Sequence, residues 1–398
     1  MYKIIKEYYA ATAFTFIIIF YWVGKASERF LGINIPDVSF ILILIFAVAG
    51  IFQMIITRRG LNVNELLFLI LLISTPIFGN LAEIILNAQP SSAWIGYIDY
   101  KSLTVNNWSG FRSPILSSMI FIFSAKYLAS CLNEKKFIVA LFIGATPHFI
   151  WGIAQFLYMY IPFLLEYLPI LVGGENQGNF NLNIVRATGL MTDPFAFSWF
   201  FYTVSLSLAL ISRSYRAAMV SMLISMMSIS RSLMLSFAPL FLYFLTKYKK
   251  NSLLTFLGLI FFIAIYFGNE IQLIFDKRIE GDISFQSRYE TNLLSLEEIV
   301  RGNFFGVGFS FGVYTDSTVA TLLFTSGIPG LIFYFSAWFL FYRQFWIISG
   351  LQKEVLFFGL GFFINSFLVG TVEAQPGMLV IFVLYWLLKK RFLKLKLI

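Results

Sequence analysis

Long apolar runs separated by short polar stretches dominate the chain. A spanning helix needs about 20 apolar residues, within a range of roughly 17 to 25. On that ruler, runs fall near 8–24, 38–56, 64–79, 114–131, 137–160, 196–212, 217–230, 232–246, 253–267, 318–342, 355–370 and 376–388. The pattern predicts an all-α polytopic membrane protein of about 12 transmembrane helices. The first run follows MYKIIK and lacks a small-residue cleavage site, so it reads as a retained helix. With no internal repeat or low-complexity linker, residues 1–398 read as one membrane domain.

Three polar segments interrupt this rhythm, at 80–113, 161–195 and 268–317, and alternation of spans places all three on one side. The short connections on the opposite side, with both termini, carry about 18 Lys and Arg against 4 acids. By the positive-inside rule that side is cytoplasmic and the long segments face outward. Composition agrees, since 59% of residues are hydrophobic and 12% charged, against about a quarter charged in soluble domains. The net charge of +9 sits mainly in clusters at span ends, which orients a membrane protein and argues against a nucleic-acid partner.

The chain has one cysteine, Cys131, and one histidine, His148, which excludes an internal disulfide and any Cys- or His-rich metal cluster. The short connections carry no glycine-rich phosphate loop, so neither a metal nor a nucleotide cofactor is expected. Chemistry is expected on the outward side.

Segment 268–317 holds four basic and eight acidic residues and is the strongest candidate for a site. Cations on an outward face need an explanation, and Arg186, Arg231, Arg288 and Arg301 stand out as phosphate or carboxylate ligands, because a planar guanidinium suits bidentate contact. Arg231 interrupts two apolar runs with no charged neighbour, and a charge at membrane depth is functional by default. The bland alternatives are a tight surface turn at Arg231, salt bridges from Arg186 to Asp193 and Arg288 to Glu290, and an i,i+4 pair from Glu297 to Arg301.

SRYE at 287–290 matches a capping box, and Tyr289, Leu293, Leu296 and Val300 repeat at helical spacing, predicting a short amphipathic helix on the membrane surface. Arg288 then falls at its first turn, where free amides favour an anion; alternatively this helix is only a cover. Beyond it, Gly306, Gly308 and Gly312 allow close backbone approach, while Phe304, Phe305, Phe309, Phe311 and Tyr314 offer rings to sugar or lipid. Asp316 and Glu373 are candidate proton acceptors, with an N-cap and a solvated turn residue as the alternatives. His148, between Pro147 and Phe149 in a span, reads as a packed core residue rather than a proton relay.

VRATGLMTDPFAFSW, SISRS, and SRYE followed by GVGFSFGVYTDSTVATLLFTSGIPGLIFYF together resemble the bacterial O-antigen polymerase and ligase superfamily, most closely its Wzy-type polymerases, over about residues 140–370. The resemblance implies a GT-C-like fold, no metal, and undecaprenyl-diphosphate-linked oligosaccharide as donor and acceptor. Arg186, Arg231 and Arg288 would hold the diphosphate, with Arg301, Tyr289 and Tyr314 as further substrate contacts. Where the ligase branch places a histidine, this chain has Thr315, Asp316 and Ser317. An arginine with a glycine eleven positions later, found in some polymerases, occurs at Arg301 and Gly312 and fails at Arg186.

The expected function is therefore polymerisation of lipid-linked repeat units at the outer leaflet of the bacterial plasma membrane. Asp316 or Glu373 would serve as base. Membrane lipids, a chain-length regulator and a flippase are the expected partners. An O-antigen ligase acting on lipid A core, and a flippase or transporter of the same lipid, are the alternatives.

Overall fold

The computed structural model describes residues 2–20, 35–57, 60–95, 115–157, 190–191, 194–228, 231–247, 283–308, 317–368 and 376–395. Their regular structure is helical: α1 Tyr2–Phe20, α2 Ile35–Thr57, α3 Val63–Leu86, α4 Ser117–Cys131, α5 Glu134–Leu157, α6 Pro194–Ser207, α7 Tyr215–Met226, α8 Arg231–Lys247, α9 Ile283–Val300, α10 Thr318–Ile348, α11 Lys353–Leu368 and α12 Pro376–Leu395. A π-helical turn, Leu208–Ser212, continues α6. Among the described residues five helices are long and apolar enough to cross a membrane: Val38–Thr57, Val63–Leu86, Glu134–Gln155, Phe195–Ser212 and Thr318–Ile348. The run at 253–267 lies outside the described residues.

Burial sorts these helices into centre and periphery. In α2 only 22% of the most apolar window is buried, whereas in α6 the share is 83%. Ile45, Phe52 and Ile56 of α2 therefore face outward, which in a membrane protein means toward acyl chains. α6 and residues 377–388 of α12 carry no charged side chain on any face, in keeping with their central place; residues 378–385 of α12 are all buried. Tyr202 of α6 lies between Phe237 of α8 and Phe358 of α11, with ring centroids 4.1 and 4.4 Å away. His148 donates Nε2–H to the Ile18 carbonyl at 2.9 Å and packs against Phe200, in the packed core role that its neighbours predict.

One end of the bundle gathers the basic connections. Lys136 pairs with Glu7 at 3.0 Å, Arg391 with Glu134 at 3.6 Å, and Lys389 with Glu65. Asn64 bonds Gln344 and Arg213 bonds Gln352. These contacts bring the starts of α1 and α3, the α4–α5 and α10–α11 turns, and the ends of α6 and α12 together. Lys126, a cation inside a predicted span, lies 4.8 Å from the Trp386 ring, whose other close cation is Lys389 at 4.5 Å.

α10 is two helices in line. At Gly327 the backbone takes φ 63°, ψ −162°, a region open in practice to glycine alone. Two residues on, Pro329 has no N–H, and its ring crowds the carbonyl four residues back. The break frees carbonyls at Phe324 and Thr325. Each accepts from an amide of the segment after α9, Val307 at 2.9 Å and Gly308 at 3.0 Å, while Ile328 donates to the Phe304 carbonyl at 3.0 Å. Irregular backbone at membrane depth persists only where protein groups satisfy it in this manner.

Candidate functional site

α9 is the helix expected from the spacing at Tyr289, Leu293, Leu296 and Val300, but it extends further toward the N-terminus. It is already helical at Ile283, because ISFQ contains no breaker. Ser287 is therefore not its N-cap, and Arg288 lies in the second turn or beyond rather than beside the free amides of the first.

The orientation of α9 also inverts the usual rule. Thr291, Ser295 and Glu298 are buried, whereas Tyr289, Leu293, Leu296 and Val300 are 59%, 42%, 51% and 88% exposed. Ser295 donates to the Ala320 carbonyl of α10 at 3.0 Å, and Ser317 Oγ lies 3.2 Å from Asn292 Oδ1. A helix with its polar face inward and its apolar face outward is suited to lipid rather than water.

Glu298 ties this helix to the chain beyond α3. Its carboxylate accepts from the Ser91 amide at 2.9 Å and from Asn303 Nδ2 at 2.7 Å, and the same Asn303 group lies 3.1 Å from the Gln89 carbonyl. Next to it, Trp94 packs on Phe324 with centroids 4.3 Å apart. Hydrogen bonds to a charged group contribute about 1.5 to 3 kcal/mol each. Glu298→Ala should lower the unfolding midpoint and expose 303–308 to protease, whereas Glu298→Gln, which keeps an acceptor, should lose less.

α3 runs to Leu86, past the expected limit at 79, and so carries Glu83 to this end on a helix. Gly308, at φ +92°, lies against it: a Cβ there would stand 2.1 Å from Glu83 Oε2. Glu83 falls inside the polar segment 80–113, which conceals its place on α3. The helical continuation LAEIIL was the signal that could have found it.

The flanks of the other predicted segments reach the same end. Ser317, the N-cap of α10, accepts from the Ala320 amide and lies 3.3 Å from the Phe367 carbonyl near the end of α11. α8 runs antiparallel to α11, with Ser236 bonded to Asn365 near one end and Tyr243 stacked on Phe357 near the other. The start of α8, Arg231, therefore lies at the end where α11 finishes. Close before it in sequence, Ser225 and Ser228 are buried, and Ser198 in the first turns of α6 bonds the Ser225 carbonyl and approaches Ser228 Oγ at 2.7 Å.

Of the predicted contacts, Arg301 is exposed and 3.5 Å from Glu297, the helical pair that its spacing indicated. Tyr289 lies on the outward stripe of α9. Arg186, Tyr314, Asp316 and Glu373, with Phe309, Phe311 and Gly312, lie outside the described residues. Cys131 is buried with a free thiol. Compared with protein-family models and with curated proteins, this chain finds no match.

Proposed function

We propose that the chain is a metal-independent glycosyltransferase of the Wzy polymerase type. In this reading it is a 12-span, GT-C-like protein of the bacterial plasma membrane with both termini cytoplasmic. It joins undecaprenyl-diphosphate-linked repeat units at the outer leaflet. One observation supports this best. The described flanks of the candidate segments, Ser198, Ser228, Arg231, α9, Ser317 and Phe367, collect at the bundle end opposite the basic connections.

The reaction needs little covalent work from the protein. A hydroxyl on the terminal sugar of one repeat unit attacks the anomeric carbon of the growing chain. The bond from that carbon to the diphosphate oxygen breaks, and the hydroxyl proton passes to Asp316 or Glu373. Charge develops on the departing diphosphate, so guanidinium groups from Arg186, Arg231 and Arg288 held in advance lower the barrier. The outward apolar stripe of α9 gives the polyprenyl tail an adjoining surface.

A transporter reading has one observation in its favour, since broken helices line many transport sites. Here, however, the chain's own amides occupy the freed carbonyls of α10. Purified protein supplied only with lipid-linked repeat units should yield a ladder of longer glycans. Transfer of label between leaflets of a liposome without lengthening would sink the polymerase reading, and transfer to added lipid A core alone would replace it with the ligase. Arg288→Ala and Arg231→Ala should each slow lengthening at least thirtyfold, the roughly 2 kcal/mol of a lost charge-assisted contact, and Arg288→Lys should rescue little because lysine lacks the fork.

A further inference from the structure

A cavity lies at the basic end of the bundle, opposite the candidate site, and plays no part in the reaction above. It holds about 240 Å³ and is walled by the end of α6 at Leu210 and Arg213, the α10–α11 turn at Ile348 and Gln352, and the last turns of α12 at Leu388 and Arg391. Phe392 and Leu395 continue its apolar wall. Apolar side chains thus form the sides, and two guanidinium groups supply the charge.

Both arginines have donors to spare. Arg213 donates Nη1–H to Gln352 Oε1 at 2.6 Å, and Arg391 Nη1 has Glu134 at 3.6 Å, leaving most of the five N–H groups on each guanidinium. The backbone fixes where the first cation stands. Arg213 is the C-cap that closes the π turn of α6 in the left-handed region, at φ 53°, ψ 23°, a common helix ending that glycine or asparagine adopts at lower cost. It sets Arg213 on the cavity wall.

We infer that this cavity binds the phosphate headgroup of an anionic membrane lipid, with Arg213 and Arg391 on the phosphate and the first acyl carbons against Leu388, Phe392 and Leu395. Basic recesses between membrane helices suit such headgroups. The apolar wall, continuous with Leu395 at 65% exposure, favours a lipid over a free ion, which would gain nothing from it.

The test uses the full chain in vesicles of phosphatidylcholine, with or without phosphatidylglycerol, and a series with inorganic phosphate instead. Phosphatidylglycerol should raise the unfolding midpoint by at least about 4 °C, the size of effect expected when a ligand binds only the folded state. Arg213→Gly, which suits the left-handed backbone, combined with Arg391→Gln should remove most of that rise, measured against the double variant's own midpoint in phosphatidylcholine. An equal rise in the double variant overturns the proposal. So does a full rise with inorganic phosphate alone, which would make the cavity a free-anion site. A third arm scores glycan lengthening in phosphatidylcholine, where the double variant should match the parent chain.

Discussion

Replacing Gly327 by alanine is expected to release the 303–308 segment from α10 and to destabilise that end of the protein by about 4 to 6 kcal/mol. Two causes add. An alanine at φ 63°, ψ −162° costs about 1 to 3 kcal/mol in backbone strain. Its Cβ would also stand 2.1 Å from the Phe304 carbonyl oxygen and 2.5 Å from the Gly306 amide nitrogen. The segment has to withdraw, and three backbone hydrogen bonds of about 1 kcal/mol each go with it. Gly350→Ala is the control: its φ is 77°, yet nothing lies within 4 Å of the added carbon, so only the strain should appear. Amide exchange at Val307 and Gly308 would separate the two, rising sharply in Gly327→Ala and little in Gly350→Ala. Equal protection in both variants would show that the break is not what holds the segment.

At the other end, Glu65→Ala should cost about 3 to 5 kcal/mol, the usual penalty for stranding one partner of a buried ion pair. Glu65 has two structural duties. One carboxylate oxygen accepts from the Asn62 amide at 2.9 Å, while Asn62 Oδ1 accepts in return from the Glu65 amide, a capping box that starts α3. The other accepts from Tyr385 at 2.6 Å and pairs with Lys389 of α12. Truncation leaves a mostly buried ammonium beside Trp386 and uncaps a helix. Glu65→Gln combined with Lys389→Met should recover much of the loss, because no charge is then stranded. A thermal midpoint in detergent reads both, and a double variant as unstable as Glu65→Ala would show that the stranded charge is not the source of the cost.

Hydrophobic length made most of the helices legible in the sequence, and charge sorting made their common ends legible. The connections that carry Lys136, Arg213 and Lys353 were grouped on one side by charge alone, and contacts such as Arg213–Gln352 and Arg391–Glu134 join that side in space. α9 was legible as a helix, but its direction of facing was not. Periodicity reports that Tyr289, Leu293, Leu296 and Val300 share a stripe, not whether protein or lipid meets it. The break in α10 was also missed, although glycine and proline two residues apart in SGIPG spell it out. Its surroundings are apolar on both sides, so a count of hydrophobic length runs straight across it. Glu65 escaped notice for a similar reason, since NVNE carries the capping pattern in front of a run read only for its apolar content.

The stitch between the segment after α9 and the gap in α10 is made entirely of main-chain atoms. No side chain at Phe304 or Phe305 supplies one of its hydrogen bonds, and both are exposed, so these two positions can be exchanged while the frame stays put. The two exposed rings at this edge could be recoloured residue by residue, and the scaffold beneath would carry each new palette unchanged.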